Sequence, residues 1–408
     1  MSPDPSSLST LQRRKLNFNW TDIAFGALMP TLAVLAALII GAVMLVLLRA
    51  NPFQAYAAMI GGALGDLSGL TQSAVKATPL LLVGLGIVIA FRANVINIGG
   101  EGQIIVGALM GTWFSLAFRT WPSWLLIPAT MLSGFLAGAL WGFIPGILKA
   151  RLGVNEILTT VMMNAIALQL MNFLLRGPLM DPVEIGKGTF IAQSERLPEP
   201  VWLPRLVPQT LLHTGAIVAV VLAVGVYIFL WRTTIGYRIR AVGLNPDAAR
   251  YAGIRVPIYQ ALALTLAGGF AGLAGIVEVI GVHHRLLEGI TSGYGFSGIV
   301  AALFGKLHPI GAIPASFLFG SLLVGADKMQ RAVQVPSALV DTLLGLVVLF
   351  VVGSDLWSRH RAVRRAVETA ESDVSGSEKL LRPAADQALG DGEVSPQVAA
   401  RTTEPSHD

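Results

Sequence analysis

The 408-residue chain is 54% hydrophobic and 13% charged, where a soluble domain usually carries about 25% charged residues. No soluble interior of this length hides so much apolar surface, so lipid must be part of the solvent. The formal charge of +5 belongs to loops beside membrane spans before it suggests any nucleic-acid partner, and the lack of cysteine excludes disulfides, iron–sulfur clusters and thiolate zinc sites.

In chain order, residues 1–27 form a polar segment with Arg13, Arg14 and Lys15, expected in the cytoplasm. The apolar run at 28–48 is long enough to cross a bilayer, which predicts an uncleaved first helix rather than a signal peptide. A Gly-rich connection over 49–71 leaves room for a surface helix, and further spans are predicted at 74–91, 98–118, 124–148 and 156–175. The loop 176–210 contains several prolines, is too polar for lipid and is expected on the extracytoplasmic side. Span six is predicted at 211–231, then a basic cytoplasmic stretch at 232–257 and span seven at 258–281. A short apolar piece at 296–305 is interrupted by the sequence KLHP and resumes over 309–326, and a last span is predicted at 337–353. Counting the interrupted region as two passes gives an all-α integral membrane protein of about ten transmembrane helices with broken or re-entrant segments. With the N-terminus inside, more of the span-flanking Lys and Arg fall on the cytoplasmic side, so both termini are expected there. The transmembrane domain is predicted at 28–353. Residues 354–408 mix acids, bases, Ser, Pro and Ala, the composition of a disordered tail.

Polar groups inside apolar segments are the first functional candidates. The stretch Asn94-Val-Ile-Asn97-Ile-Gly-Gly-Glu101-Gly-Gln103 puts three amides and a carboxylate where a span should begin, with glycines that favour irregular backbone. Such backbone is tolerated at membrane depth when protein covers it or it lines a watery cavity. An intramembrane carboxylate there is a functional candidate, although Glu101 at the interface, paired to Arg92, reads equally well. In the next cluster, Asn155 and Glu156 fit a helix start, and Asn164 lies about 12 Å further along the axis, as interhelical glue or as pathway lining. Glu278, His283 and His284 fit a polar loop or, less simply, a metal site. Gly134, Gly138 and Gly142, like Gly268, Gly272 and Gly275, share helix faces and predict close packing.

Enzyme signatures are missing: there is no GxxxxGK[ST] phosphate loop, no HExxH and no GxSxG, so any nucleotide must sit on another chain. The cytoplasmic segment 236–254 is more telling. Asn245 and Pro246 can cap and start a short helix, Asp247 suits its first turn, Ala248 and Ala249 continue it and Gly253 can stop it. A stubby helix between spans could dock in a groove of a partner, whereas an ordinary basic loop explains the arginines but not the capping residues.

These residues resemble the permease subunits of bacterial ATP-binding cassette importers, in the branch that handles branched-chain amino acids, ribose, simple sugars and nucleosides. IRAVGLNPDAARYAGI resembles the region that meets the ATPase, and NVINIGGEGQ and VNEILTTVMMNAIA are similar to motifs of the nucleoside and simple-sugar members. GYGFSGIVAALFG and VPSALVDTLLGLVVLF fit as well, and the resemblance spans roughly 30–353. It implies an importer core in the bacterial cytoplasmic membrane. An extracytoplasmic binding protein would deliver a nucleoside or related sugar. A second, non-identical permease chain would complete the cavity, and partner ATPase subunits would bind ATP and Mg, leaving no cofactor here. By position, Gly243, Asn245, Pro246, Asp247, Ala248, Ala249 and Gly253 are the candidates for ATPase coupling. Asn97, Glu101, Gln103 and Asn164 are candidates for the substrate pathway, because amides offer paired donors and acceptors to hydroxyls and base edges. The alternative is an ion- or proton-coupled secondary transporter with Glu101 or Glu278 carrying the proton.

Overall fold

The computed structural model describes residues 20–336 and scattered positions between 339 and 353. Residues 1–19 of the predicted N-terminal segment 1–27 and the whole predicted tail 354–408 lie outside the described residues, and the last predicted span, 337–353, is described at isolated positions only. Among the described residues the chain is all helical. In order, the helices are α1 (Trp20–Leu47), α2 (Pro52–Leu64), α3 (Leu67–Arg92), α4 (Gly100–Ala117), α5 (Ser123–Leu152), α6 (Glu156–Leu175) and α7 (Pro182–Lys187). They continue with α8 (Gly215–Arg232), α9 (Thr234–Leu244), α10 (Pro246–Tyr251), α11 (Val256–Glu278), α12 (Tyr294–Phe304) and α13 (Pro309–Val333). Six are long and apolar enough to cross a bilayer: α3, α5, α6, α8, α13, and α11 together with the π-helical turn that extends it to His283. Glu101 and Gln103 dilute the hydropathy of α4, and α12 is a shorter apolar helix.

Local sequence accounts for most helix ends. The Asn51 side chain accepts from the Phe53 N–H at 2.9 Å, with Pro52 in the first turn, and this starts α2 inside the stretch expected to hold a surface helix. Asp66 caps α3, so that helix begins before the predicted 74. Asn155 accepts from Ile157 N–H at 2.9 Å and opens α6. Glu156 follows it and pairs with Lys149 at 2.5 Å, across the turn where Gly153 takes a φ of +66° to end α5. Between Arg232 and Val256 the sequence predicts one short helix, and the structure has two. Thr233 caps α9, whose Ile239 and Val242 face the core. Two glycines and several charges hide this amphipathic pattern from a hydropathy reading.

The core is built around α11, which is 89% buried along its apolar stretch, whereas α6 is 17% buried. A helix apolar all round belongs in the middle of a bundle, and one that its own chain leaves exposed meets lipid or another chain. α11 packs most extensively on α5 and then on α4 and α3. The glycine faces expected to pack do so: a Cβ on Gly138 would overlap backbone of Gly268 and Gly272, and one on Gly107 would overlap Gly272. Close approach of this kind depends on small residues because lipid supplies no hydrophobic drive between helices. On the far side, the long loop is stitched to the end of α11. Leu203 N–H donates to Ile280 O (3.1 Å), Leu197 N–H to His284 O (2.8 Å), and Ser194 exchanges bonds with Leu286.

Candidate functional site

Two irregular stretches return the chain into the bundle at the same place. After α3 ends at Arg92, residues 93–99 lead to the start of α4. After the π turn ends at His283, residues 284–293 lead to the start of α12. Gly100 and Gly295 stand against each other, so that a Cβ on Gly100 would lie 3.1 Å from the Gly295 Cα. Two helix N-termini, each with a partial positive charge and N–H groups that its own helix does not satisfy, therefore meet inside the protein. Glu101 sits at this junction and its Oε1 accepts from Gly295 N–H at 2.8 Å. The half-helix α12 runs about 16 Å from there, on the order of half the hydrocarbon thickness.

The predicted polar residues are brought together, and they are paired with one another and with backbone. Asn97 Nδ2 donates to Gln103 Oε1 at 2.9 Å, and Asn97 Oδ1 accepts from Gly99 N–H at 2.9 Å. Both amides are 1% exposed. Asn164, from α6, donates to Ile98 O at 2.9 Å and accepts from Gly102 N–H at 2.8 Å. It closes both sides of the irregular stretch. Asn97 and Asn164 satisfy backbone groups that no helix pairs, the condition for irregular structure at depth, and Gln103 holds Asn97 in place. Arg92 is not the partner of Glu101. Its guanidinium donates to Leu307 O from Nε (3.1 Å) and Nη2 (3.0 Å), bracing the turn between α12 and α13 where Lys306 and Leu307 take positive φ.

Toward the far end, Lys76 Nζ donates to the Tyr294 hydroxyl at 2.7 Å. That hydroxyl lies 3.5 Å from Glu278 Oε1, and His283 Nε2 lies 3.6 Å from the same oxygen. Glu278 is thus a buried carboxylate partnered through Oε1, while its buried Oε2 has no hydrogen-bond partner among the described residues. No group of three His, Asp or Glu side chains converges for a metal among the described residues. His284 stacks on Trp202 at 4.2 Å. Burial holds the His284 and His213 imidazoles below their ordinary range.

The segment 236–254 has the geometry of a capped stub. Asn245 Oδ1 accepts from the N–H groups of Asp247 and Ala248, both at 3.0 Å, and Pro246 occupies the first turn of α10. Gly253 takes a φ of +78°, while Ile254 N–H reaches Ala249 O and Gly253 N–H reaches Arg250 O, closing a left-handed stop. Leu244 and Tyr251 are 87% and 96% exposed, apolar groups that this chain alone leaves uncovered. Gly243 faces inward, and a Cβ there would overlap the Arg92 carbonyl oxygen. Trp231 receives two guanidiniums, Arg92 at 5.2 Å and Arg240 at 5.4 Å from its centroid. The stub is therefore in physical contact with the residue that precedes the irregular stretch 93–99. Hydropathy and motif reading missed Arg92, Trp231 and Gly295 in these roles, since their partners are remote in sequence.

A family model described as branched-chain amino acid transport system / permease component matches residues 69–352. A glucose ABC transporter permease protein of Haloferax volcanii is 36% identical over 87% of this chain and 95% of its own length. A guanosine ABC transporter permease protein of Bacillus subtilis is 36% identical over 80% of this chain and 93% of its own. A second guanosine ABC transporter permease protein of the same bacterium is 32% identical over 60% of this chain and 77% of its own. No solved structure matches the chain.

Proposed function

The chain belongs to the branched-chain amino acid transport system permease family, and on that premise we propose that it forms one half of the membrane core of an ATP-driven importer for nucleosides or a related simple sugar. The observation that carries this reading is the capped α9–α10 stub. It exposes Leu244 and Tyr251 outward and lays Gly243 against the Arg92 carbonyl inward. A partner ATPase seated on α10 would push on α9, and α9 bears on the end of α3. From Arg92 the push reaches residues 93–99, Glu101 and the start of α12.

Gly243, Asn245, Pro246, Asp247, Ala248, Ala249 and Gly253 are the coupling residues in this account. Asn97, Glu101, Gln103 and Asn164 belong to the pathway as the residues that hold its irregular wall in place. The junction sets the positive ends of two helix dipoles beside the pathway of a hydroxyl-rich solute, as interrupted helices do in other transporters. The full bundle has about ten spans, lies in the cytoplasmic membrane, and keeps both termini inside, which puts the stub on the ATPase side. ATP and Mg sit on the partner. The two matching guanosine permeases of one bacterium support a second, non-identical permease chain beside this one, and an extracytoplasmic binding protein supplies the cargo.

The test of the cargo is competition. In vesicles holding the complete importer, excess guanosine should abolish uptake of a labelled nucleoside while glucose leaves it unchanged. The reverse pattern would make the cargo a sugar, and competition by neither would remove both.

A further inference from the structure

Two cavities lie side by side where α9, the α10–α11 link and the C-terminal turns of α5 meet. The first is a cleft of about 530 Å³ lined by Tyr237, Arg238, Gly253, Arg255, Ile258 and Tyr259, so it borders the end of the α10 stub. The second is an apolar groove of about 600 Å³ between α5 and α11, lined by Phe143, Ile147, Ile258, Ala261 and Leu262, with Arg151 at its edge. Ile258 is a wall of both and is 52% exposed. Three arginines border the pair of cavities and no Asp or Glu lines either. The acid of this segment, Asp247, pairs with Arg250 at 3.1 Å instead. Arg238 is held toward the cleft by its bond to the Tyr259 hydroxyl at 2.8 Å, leaving the rest of its guanidinium free of carboxylate partners among the described residues.

The structure assigns this double cavity to an anionic phospholipid, with its phosphate against Arg238, Arg255 and the tyrosines and an acyl chain in the groove between α5 and α11. A phosphate suits the guanidinium fork and a phenol donor. Basic pockets between spanning helices on the cytoplasmic side take such headgroups. The groove separates a lipid from an acidic protein partner. It runs between two helices apolar enough to cross the membrane, where an acyl chain is the natural occupant. The assignment rests on the reading above for the side of the membrane that this end of the bundle faces, and it does not depend on the cargo.

The full chain in detergent is titrated with phosphatidylglycerol, with phosphatidylcholine of the same acyl chains, and with inorganic phosphate. Thermal unfolding and lipid retention by native mass spectrometry are the readouts. Phosphatidylglycerol should raise the unfolding temperature and stay bound, and the other two should do neither. Arg238→Gln and Arg255→Gln should each weaken retention about fivefold. Ile258→Gln should weaken it through the chain, and Arg232→Gln, outside both cavities, should leave it unchanged. Equal retention by the Arg238→Gln/Arg255→Gln double variant and the parent overturns the assignment, as does an equal effect of phosphate alone. Loss of the ATPase partner from the double variant with lipid retention intact would give the cleft to that partner and overturn it as well.

Discussion

At the scale of single residues, Asn164 does the most for the least volume, since its amide closes two backbone groups that no helix satisfies. Asn164→Leu leaves a buried N–H and a carbonyl unpaired, each at about 1–3 kcal/mol. Thermal unfolding of the purified chain should fall by several degrees, and an unchanged transition would remove Asn164 from this role. Glu101→Gln keeps an acceptor for Gly295 N–H but removes the charge facing two helix N-termini, so uptake should drop with the fold preserved. Identical uptake kinetics would show that the charge itself does nothing. His213 accepts from Gly215 N–H through Nδ1 at 3.2 Å, and its pKa is lowered chiefly by burial. A histidine with a depressed folded pKa binds its proton more readily when unfolded, so its stabilisation is present above the free value of about 6.5 and is lost as pH falls through it. His213→Asn should flatten that acid limb in a pH series of unfolding temperatures. The sequence identified Asn97, Glu101, Gln103 and Asn164 as unusual because polar groups stand out in apolar runs. It did not show that they pair with one another and with backbone, because Asn164 and Gly102 come from different helices.

At the scale of elements, α10 was legible and α9 was not. Asn245, Pro246 and Gly253 are local signals whose meaning is fixed within a turn or two, and the caps form as expected. α9 depends on Ile239 and Val242 meeting the core, which is decided by tertiary packing. Its contact with α3 at Gly243 gives a sharp prediction. Gly243→Ala adds a methyl where the Arg92 carbonyl stands, displacing α9 while leaving the α10 surface for the ATPase intact. ATP hydrolysis by the assembled importer should continue while uptake falls about tenfold or more, and preserved coupling would break the link between α9 and α3. Trp231→Leu should act in the same direction but more weakly, since each guanidinium–indole contact contributes about 0.5–2 kcal/mol. α12 was foreseen as an interrupted apolar piece because KLHP breaks it. Its meeting with α4 at Gly295 was not foreseen, since hydropathy has no term for two helix starts facing each other.

At the scale of the whole molecule, hydropathy located the spans that lie against lipid and the central ones alike, because both are apolar. Only packing separates α11 from α6, and the glycine repeats on α5 and α11 were the sequence sign of that packing. Leu244 and Tyr251 stand exposed on the α9–α10 stub, and the family to which the chain belongs is that of a permease component rather than of a complete machine. The most direct measurement is uptake of labelled nucleoside into proteoliposomes that contain this chain either alone or with its ATPase, second permease chain and binding protein. The chain alone should accumulate nothing under any ion or proton gradient, and the assembly should accumulate nucleoside only while ATP is hydrolysed. Gradient-driven accumulation by the chain alone would contradict this.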